Sequence, residues 1–215
     1  MTTEVGGRRY GGRSGAERSA ERRTALLDAA FRLVAANDWH ALRIDAVCRE
    51  AGLSKRYFYE AFASLDDLST ALVGRLSDDL IAVTLAGVQR DRTPAGFVRA
   101  ALEPFVAHLA EDPRRAHVLF GPVPGDGDAA RRRDEALRRM TSAAIGLGVE
   151  VHGAGRSPTV DLGASFLVGG TIQTVLDWLT TAEPRPAAAL VDDLAALWQA
   201  VVDATFSQAD GPVTP

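Results

Sequence analysis

Residues 24–68 read TALLDAAFRLVAANDWHALRIDAVCREAGLSKRYFYEAFASLDDL, and the fold turns on this stretch. Leu27, Ala30, Phe31 and Val34 recur at i, i+3, i+4 and i+7, one face of a helix. That spacing predicts a first helix over 19–36, closed by Asn37-Asp38. A second helix is expected over 43–50 with Ile44 and Val47 inward. Ala51-Gly52-Leu53 then makes a turn in which Gly52 takes the positive φ that a sharp reversal demands. Ser54 stands where an N-cap belongs, ahead of a third helix over 55–61. Phe58 and Phe62, four apart, should pack inward and leave Lys55, Arg56, Tyr57, Tyr59 and Glu60 outward. A short basic and aromatic helix after a tight turn is the layout that sets one helix in the DNA major groove.

Outward from this core, residues 1–18 mix Gly6, Gly7, Gly11, Gly12 and Gly15 with Arg8, Arg9, Arg13 and Arg18. They read as a disordered basic arm, too poor in apolar surface to fold alone. The sharper reading is an arm that touches the DNA backbone or minor groove. The chain divides on this reading into the arm, a helix-turn-helix domain over 19–65, a larger helical domain over 66–207 and a tail over 208–215. Asp66-Asp67 sit in the first turn of a helix to about 88, where the helix dipole favours acids. Pro94 opens a helix to about 110 that holds Pro104, so a kink or break is expected there. Asp112-Pro113 starts a short helix through Phe120, and GPVPGDGD (121–128) reads as a loop. Helices follow over 128–152, 159–181 and 187–207. No stretch sustains β alternation, so the fold class is all-α.

Charge supports a divided molecule. Residues 1–65 carry 11 Lys+Arg against 8 Asp+Glu, and the remainder carries 13 against 20, within a net charge of −4. A positive head on an acidic body suits a protein whose N-terminal part alone meets phosphates. No apolar run reaches the roughly 20 residues of a membrane span, and the N-terminus lacks an apolar signal core, so no membrane partner is expected. The single cysteine, Cys48, allows no intrachain disulfide and fits a cytoplasmic location; it reads as a small buried residue.

Over 24–68 the chain resembles the DNA-binding domain of the TetR family of bacterial repressors. The resemblance rests on Ala29-Ala30 in the first helix, Ala51-Gly52-Leu53-Ser54 at the turn, Tyr59 and Phe62 in and after the third helix, and Asp66-Asp67-Leu68 beyond it. The chain departs from the family's habits at Arg43, where a capping Thr is frequent, at Arg56, where a small residue is frequent, at Leu65 in place of Lys and at Cys48 in place of Ala. The resemblance implies a ligand-responsive repressor that acts as a homodimer on a palindromic double-stranded DNA operator, without catalytic residues, metal or cofactor. The DNA-binding candidates are Arg43, Ser54, Lys55, Arg56, Tyr57 and Tyr59. Lys55 and Arg43 are suited to phosphates, Arg56 and Tyr57 to base edges. Tyr59 resembles the family tyrosine that meets the backbone or a thymine methyl.

Two copies one helical turn of DNA apart imply a dimer, whose surface the resemblance puts on the last two helices; the same apolar stripes read equally as intrachain core. Its candidates are Phe166, Gly169, Gly170, Ile172, Leu190, Leu194, Leu197, Trp198 and Val201. The middle helices are expected to hold a partly apolar small-molecule effector among Phe105, His108, His117, Phe120, Met140, Gln173, Asp177 and Trp178, which are polar or aromatic groups on otherwise apolar helices. Arg131–Arg133 and Arg138-Arg139, interleaved with Asp134 and Glu135, read as a solvated helix face. An enzyme finds no support, because His40, His108, His117 and His152 have no partners at diagnostic spacing and no phosphate loop follows a strand. A helical protein-binding adaptor without specific DNA binding is the remaining alternative. It would lack a salt-dependent affinity for DNA.

Overall fold

A computed structural model describes residues 14–121, 128–153 and 155–207. Among them the chain is all-α, as expected, with nine helices: α1 Gly15–Asn37, α2 Ile44–Ala51, α3 Lys55–Ala61, α4 Leu65–Val88, α5 Phe97–Glu111, α6 Arg114–Phe120, α7 Asp128–His152, α8 Pro158–Thr180 and α9 Ala187–Ser207. A single 3-10 turn, Trp39–Ala41, lies between α1 and α2. The chain forms two compact units, Met1–Leu68 and Ser69–Pro215.

In the first unit α1 begins earlier than the sequence suggests. Ser14 accepts from the Glu17 amide while Glu17 reaches back to the Ser14 amide, a reciprocal cap that starts the helix at Gly15 inside the expected arm. The rest of the arm, residues 1–13, and the tail over 208–215 lie outside the described residues. Asp38 closes α1 with a positive φ of 63° and an extended ψ of 168°. Leu26, Ala29, Ala30, Val34, Val47, Phe58 and Phe62 are all buried to within a percent or so and form one core among α1, α2 and α3. Gly52, at φ 65° and ψ 28°, ends α2 and turns the chain into α3.

In the second unit α5 runs unbroken through Pro104, so the expected break does not occur. Proline has no N–H to offer the Ala100 carbonyl one turn back. Gly87 of α4 sits against that carbonyl, and a Cβ on Gly87 would overlap both the Ala100 oxygen and the Pro104 ring. The proline and the glycine thus permit a close approach of α4 and α5. A second close approach joins α8 and α9, where a Cβ on Gly163 would stand 3.0 Å from Thr205 Cγ2. Ile145, Val160, Leu167, Val202 and Phe206 pack together nearby. By length and composition α8 is apolar enough to cross a membrane, contrary to the reading of the sequence. Its packing against α7 and α9 accounts for Val160, Leu167, Val168 and Val175, all buried.

Arg132 and Arg139 of α7 reach Asp78 of α4, the latter at 2.8 Å, so part of the arginine-rich face ties two helices together. Gly87→Ala should lower stability by at least ~1–3 kcal/mol, the usual cost of overpacking, despite the gain in helix propensity. Gly163→Ala should cost less, because its neighbour is a methyl that can move. Urea denaturation of the two variants checks the order.

Candidate nucleic-acid interface and interior cavity

The exposed face of α3 is held from beneath by Phe58 and Phe62, which are 0% and 1% exposed. What remains outward is Lys55, Arg56, Tyr57, Tyr59 and Glu60. Lys55 Nζ lies 2.7 Å from Asp45 Oδ1 of α2. This hydrogen bond, and then the attraction of the carboxylate, raises the Lys55 pKa above its ordinary value, so the ammonium stays charged at neutral pH. Arg56 is paired along the helix with Glu60 at 2.9 Å and is otherwise open to solvent. Tyr59 is 58% exposed, with its ring edge-on to Phe58. Tyr57 is less open, at 38%, because the Arg22 guanidinium of α1 lies over its ring at 4.7 Å.

Two of the expected DNA contacts stand differently. Ser54 has the backbone of an N-cap, φ −81° and ψ 159°, but its side chain accepts no capping bond. Its hydroxyl sits in an exposed residue at the start of α3. Arg43 donates from Nη1 to the carbonyls of His40 and Leu42, at 2.7 and 2.9 Å, and so closes the 3-10 turn ahead of α2. It is exposed, but its guanidinium already has a structural task. The sequence reading omits Arg22. The only signal was the Arg22-Arg23 doublet, whose second member donates to the Ala61 carbonyl at 2.8 Å and covers Phe62. Cys48 is buried, and burial, then Asp45, pushes its thiol pKa up, so it stays a neutral filler in the core.

The second unit encloses a cavity of about 110 Å³. Ile81, Thr84, Leu85 and Val88 of α4 form one part of the wall; Phe97, Leu102 and Phe105 of α5, Met140 and Leu147 of α7, Thr171 and Ile172 of α8, and Trp198 of α9 supply others. Among the described residues no charged side chain lines it. Of the proposed effector contacts, Phe105 and Met140 lie in this wall. His117 and Phe120 line a separate hollow with Leu176 and Leu179. His108 is held at its backbone, where Arg115 donates to the His108 carbonyl at 2.6 Å. Burial, then the positive Arg115, lowers its pKa and favours neutral imidazole. Gln173 donates to Asp177 on the exposed side of α8, and the Trp178 indole donates to the Arg185 carbonyl across the α8–α9 connection. These four residues line neither space: polarity or aromaticity on an apolar helix marked side chains with local partners instead.

The apolar residues proposed for a dimer surface also divide. Phe166 is 70% and Leu197 62% exposed, and Gly169 and Gly170 are exposed with nothing near a Cβ. Leu162, one turn before Phe166, is 71% exposed and extends this face; its i, i+4 spacing was the available signal. Leu190 and Leu194 are buried within the chain, Val201 packs on the α8–α9 core, and Ile172 and Trp198 line the cavity. Leu190 and Leu194 are buried, and Val201, Ile172 and Trp198 half-buried, where α9 fits against α5 and α8. Among the described residues no group of three His, Cys, Asp or Glu side chains is placed to hold a metal.

Residues 26–72 match the family model of bacterial regulatory proteins, tetR family. The chain is 26% identical over 186 residues to the transcriptional activator FasR of Mycolicibacterium smegmatis, covering 84% of this chain and 81% of that protein. Its fold is similar to that of the regulator FadR of Bacillus subtilis in complex with stearoyl-CoA, with a TM-score of 0.63 and 20% identity, covering 86% of this chain and 97% of FadR. It is similar also to AibR in complex with isovaleryl coenzyme A and operator DNA, with a TM-score of 0.65 and 16% identity, over 82% and 97% of the two chains.

On α3 the two cations should separate by role. Lys55→Ala should weaken DNA binding evenly across sequences and reduce the slope of log K against log salt by about 1. Arg56→Ala should lose ~1–3 kcal/mol of discrimination at one base position. Fluorescence anisotropy over a salt series, on operator and scrambled duplexes, measures both.

Proposed function

We propose that the chain, whose residues 26–72 match the tetR family model, is a homodimeric repressor released from a palindromic operator by a ligand with an apolar acyl chain. The observation that carries the effector class is the cavity among α4, α5, α7, α8 and α9, whose wall is aliphatic and aromatic and carries no charge. Such a wall favours apolar chains through the hydrophobic effect and disfavours charged groups, which lose hydration without gaining a partner. The complexes of FadR with stearoyl-CoA and of AibR with isovaleryl coenzyme A make acyl thioesters the first class to test.

Dimerisation would use the exposed apolar residues Leu162, Phe166 and Leu197, with Gly169 and Gly170 admitting a close partner helix. Two α3 helices then read two half-sites, with Lys55 on phosphate and Arg56 and Tyr57 on base edges. Ser54, Arg43 and Tyr59 complete the backbone contacts. An acyl ligand lowers operator affinity only to the extent that it prefers the form that binds DNA poorly, an effect typically on the order of 5–150-fold. The direction of control is read by a promoter reporter, since FasR is an activator.

Saturating stearoyl-CoA, or a shorter acyl-CoA, should lower operator affinity at least fivefold in a gel-shift titration. Unchanged affinity across C5 to C18 thioesters would defeat the effector reading. Phe166→Glu with Leu197→Glu should give a monomer by sedimentation velocity that has lost operator binding by at least tenfold. A double variant that remains dimeric would move the interface elsewhere.

A further inference from the structure

Among the described residues the cavity wall has three side chains with a nitrogen or oxygen atom, and they are not equally available. Thr84 Oγ1 donates to the Leu80 carbonyl of its own helix at 2.8 Å. The Trp198 indole Nε1 donates to Thr171 Oγ1 at 2.7 Å, across from α9 to α8. Each of these donors is engaged. Thr171 is different: its oxygen accepts the indole, and among the described residues its own hydroxyl hydrogen makes no hydrogen bond. The residue is 6% exposed, so bulk water does not readily satisfy that hydrogen in its place. An indole held on the oxygen also restricts the directions in which the hydroxyl can point. A buried donor with no acceptor is costly, and a ligand that brings one relieves the cost.

Starting from the acyl-effector reading above, we propose that Thr171 is the polar recognition point of the cavity and donates its hydroxyl hydrogen to a carbonyl oxygen of a neutral acyl group. A threonine hydroxyl whose oxygen already accepts from an indole offers one donor and no positive charge. It suits an ester or thioester oxygen, which needs a single donor. A carboxylate needs several donors or a cation to replace its hydration, and no charged side chain lines this wall. The site therefore distinguishes a thioester or ester from the free acid of the same chain. Trp198 acts through Thr171: it positions the hydroxyl while its ring forms part of the apolar wall.

Isothermal titration of the full chain with three probes of equal chain length tests the assignment: S-ethyl thiooctanoate, ethyl octyl thioether, which replaces the carbonyl by a methylene, and octanoate at pH 8. Wild-type protein should bind the thioester about tenfold more tightly than either of the others. In Thr171→Val the preference for thioester over thioether should fall to about onefold; in Thr171→Ser, which keeps the hydroxyl, it should persist. Comparing the two probes on the same variant removes any general loss of folding. A preference unchanged in Thr171→Val would overturn the role of Thr171, and octanoate binding as tightly as the thioester would overturn the neutral-acyl specificity. If wild-type protein bound thioester and thioether equally, the Thr171 proposal would fall and the apolar-chain reading would stand. If it bound neither, both would fall.

Discussion

A helix of seven residues does not persist alone in water, because helix nucleation is unfavourable and so few residues add little propagation to offset it. Everything the outer face of α3 does therefore depends on the burial of Phe58 and Phe62. Both are essentially inaccessible, and they bring α3 against a core of Leu26, Ala29, Ala30, Val34 and Val47. The rigidity of the exposed side chains is borrowed from that core. Gly52 sets the angle at which α3 leaves α2, and the Arg23 side chain ties the last turn of α3 back to α1. On this platform the cations are paired with acids that lie in solvent, Asp45 and Glu60, and exposed pairs of this kind are weak. On the proposed DNA-binding reading, such weak pairs would give way when phosphates and bases present stronger, multiple acceptors.

The second unit is governed by the demands placed on α8. One side of this helix packs with α7 and α9 through Val160, Leu167 and Val175; Thr171 and Ile172 turn toward the cavity; Leu162 and Phe166 face outward. A helix with apolar residues all round cannot be satisfied by one interface. Its composition alone fits a membrane span, a buried helix or a helix shared between copies. The chain's own packing covers part of this surface and leaves Leu162 and Phe166 exposed, which is where the proposed dimer would bury them. The glycines divide in the same way: Gly163 lies where α9 is close, while Gly169 and Gly170 are exposed, with room there for the partner helix of the proposed dimer.

The helix-turn-helix was legible because its signals are local. Periodicity, a glycine at the turn and an i, i+4 phenylalanine pair each constrain a few neighbouring residues, and together they placed α3 with its observed ends at Lys55 and Ala61. The start of α1 was less legible because the glycines around Ser14 and Gly15 suggest disorder more loudly than a Ser-x-x-Glu capping pattern suggests a helix. The cavity was hardly legible at all. Its wall consists of Leu, Val, Phe and Met of the sort that fills any core, and what makes them a wall is the lack of anything opposite them. That property belongs to packing in three dimensions. Conspicuous residues such as His108 and Trp178 instead hold neighbouring backbone carbonyls or are held through their own. The same limit explains Trp198 and Ile172, which share a heptad-like stripe with outward residues yet turn toward the cavity by the geometry of α8 on α9.

The one element whose sequence belongs to both units is α4. Its first residues fall in the N-terminal unit, and Ile81, Thr84, Leu85 and Val88 near its other end form cavity wall. Between them Asp78 is held by Arg139 of α7, and Gly87 is pressed against the backbone of α5. These two attachments differ in kind. The ion pair is exposed and can shift with little penalty, whereas the contact at Gly87 is steric and backbone to backbone. On the proposed effector reading, a ligand that changes the separation of the cavity walls would meet more resistance at the steric contact of Gly87 than at the exposed ion pair of Asp78.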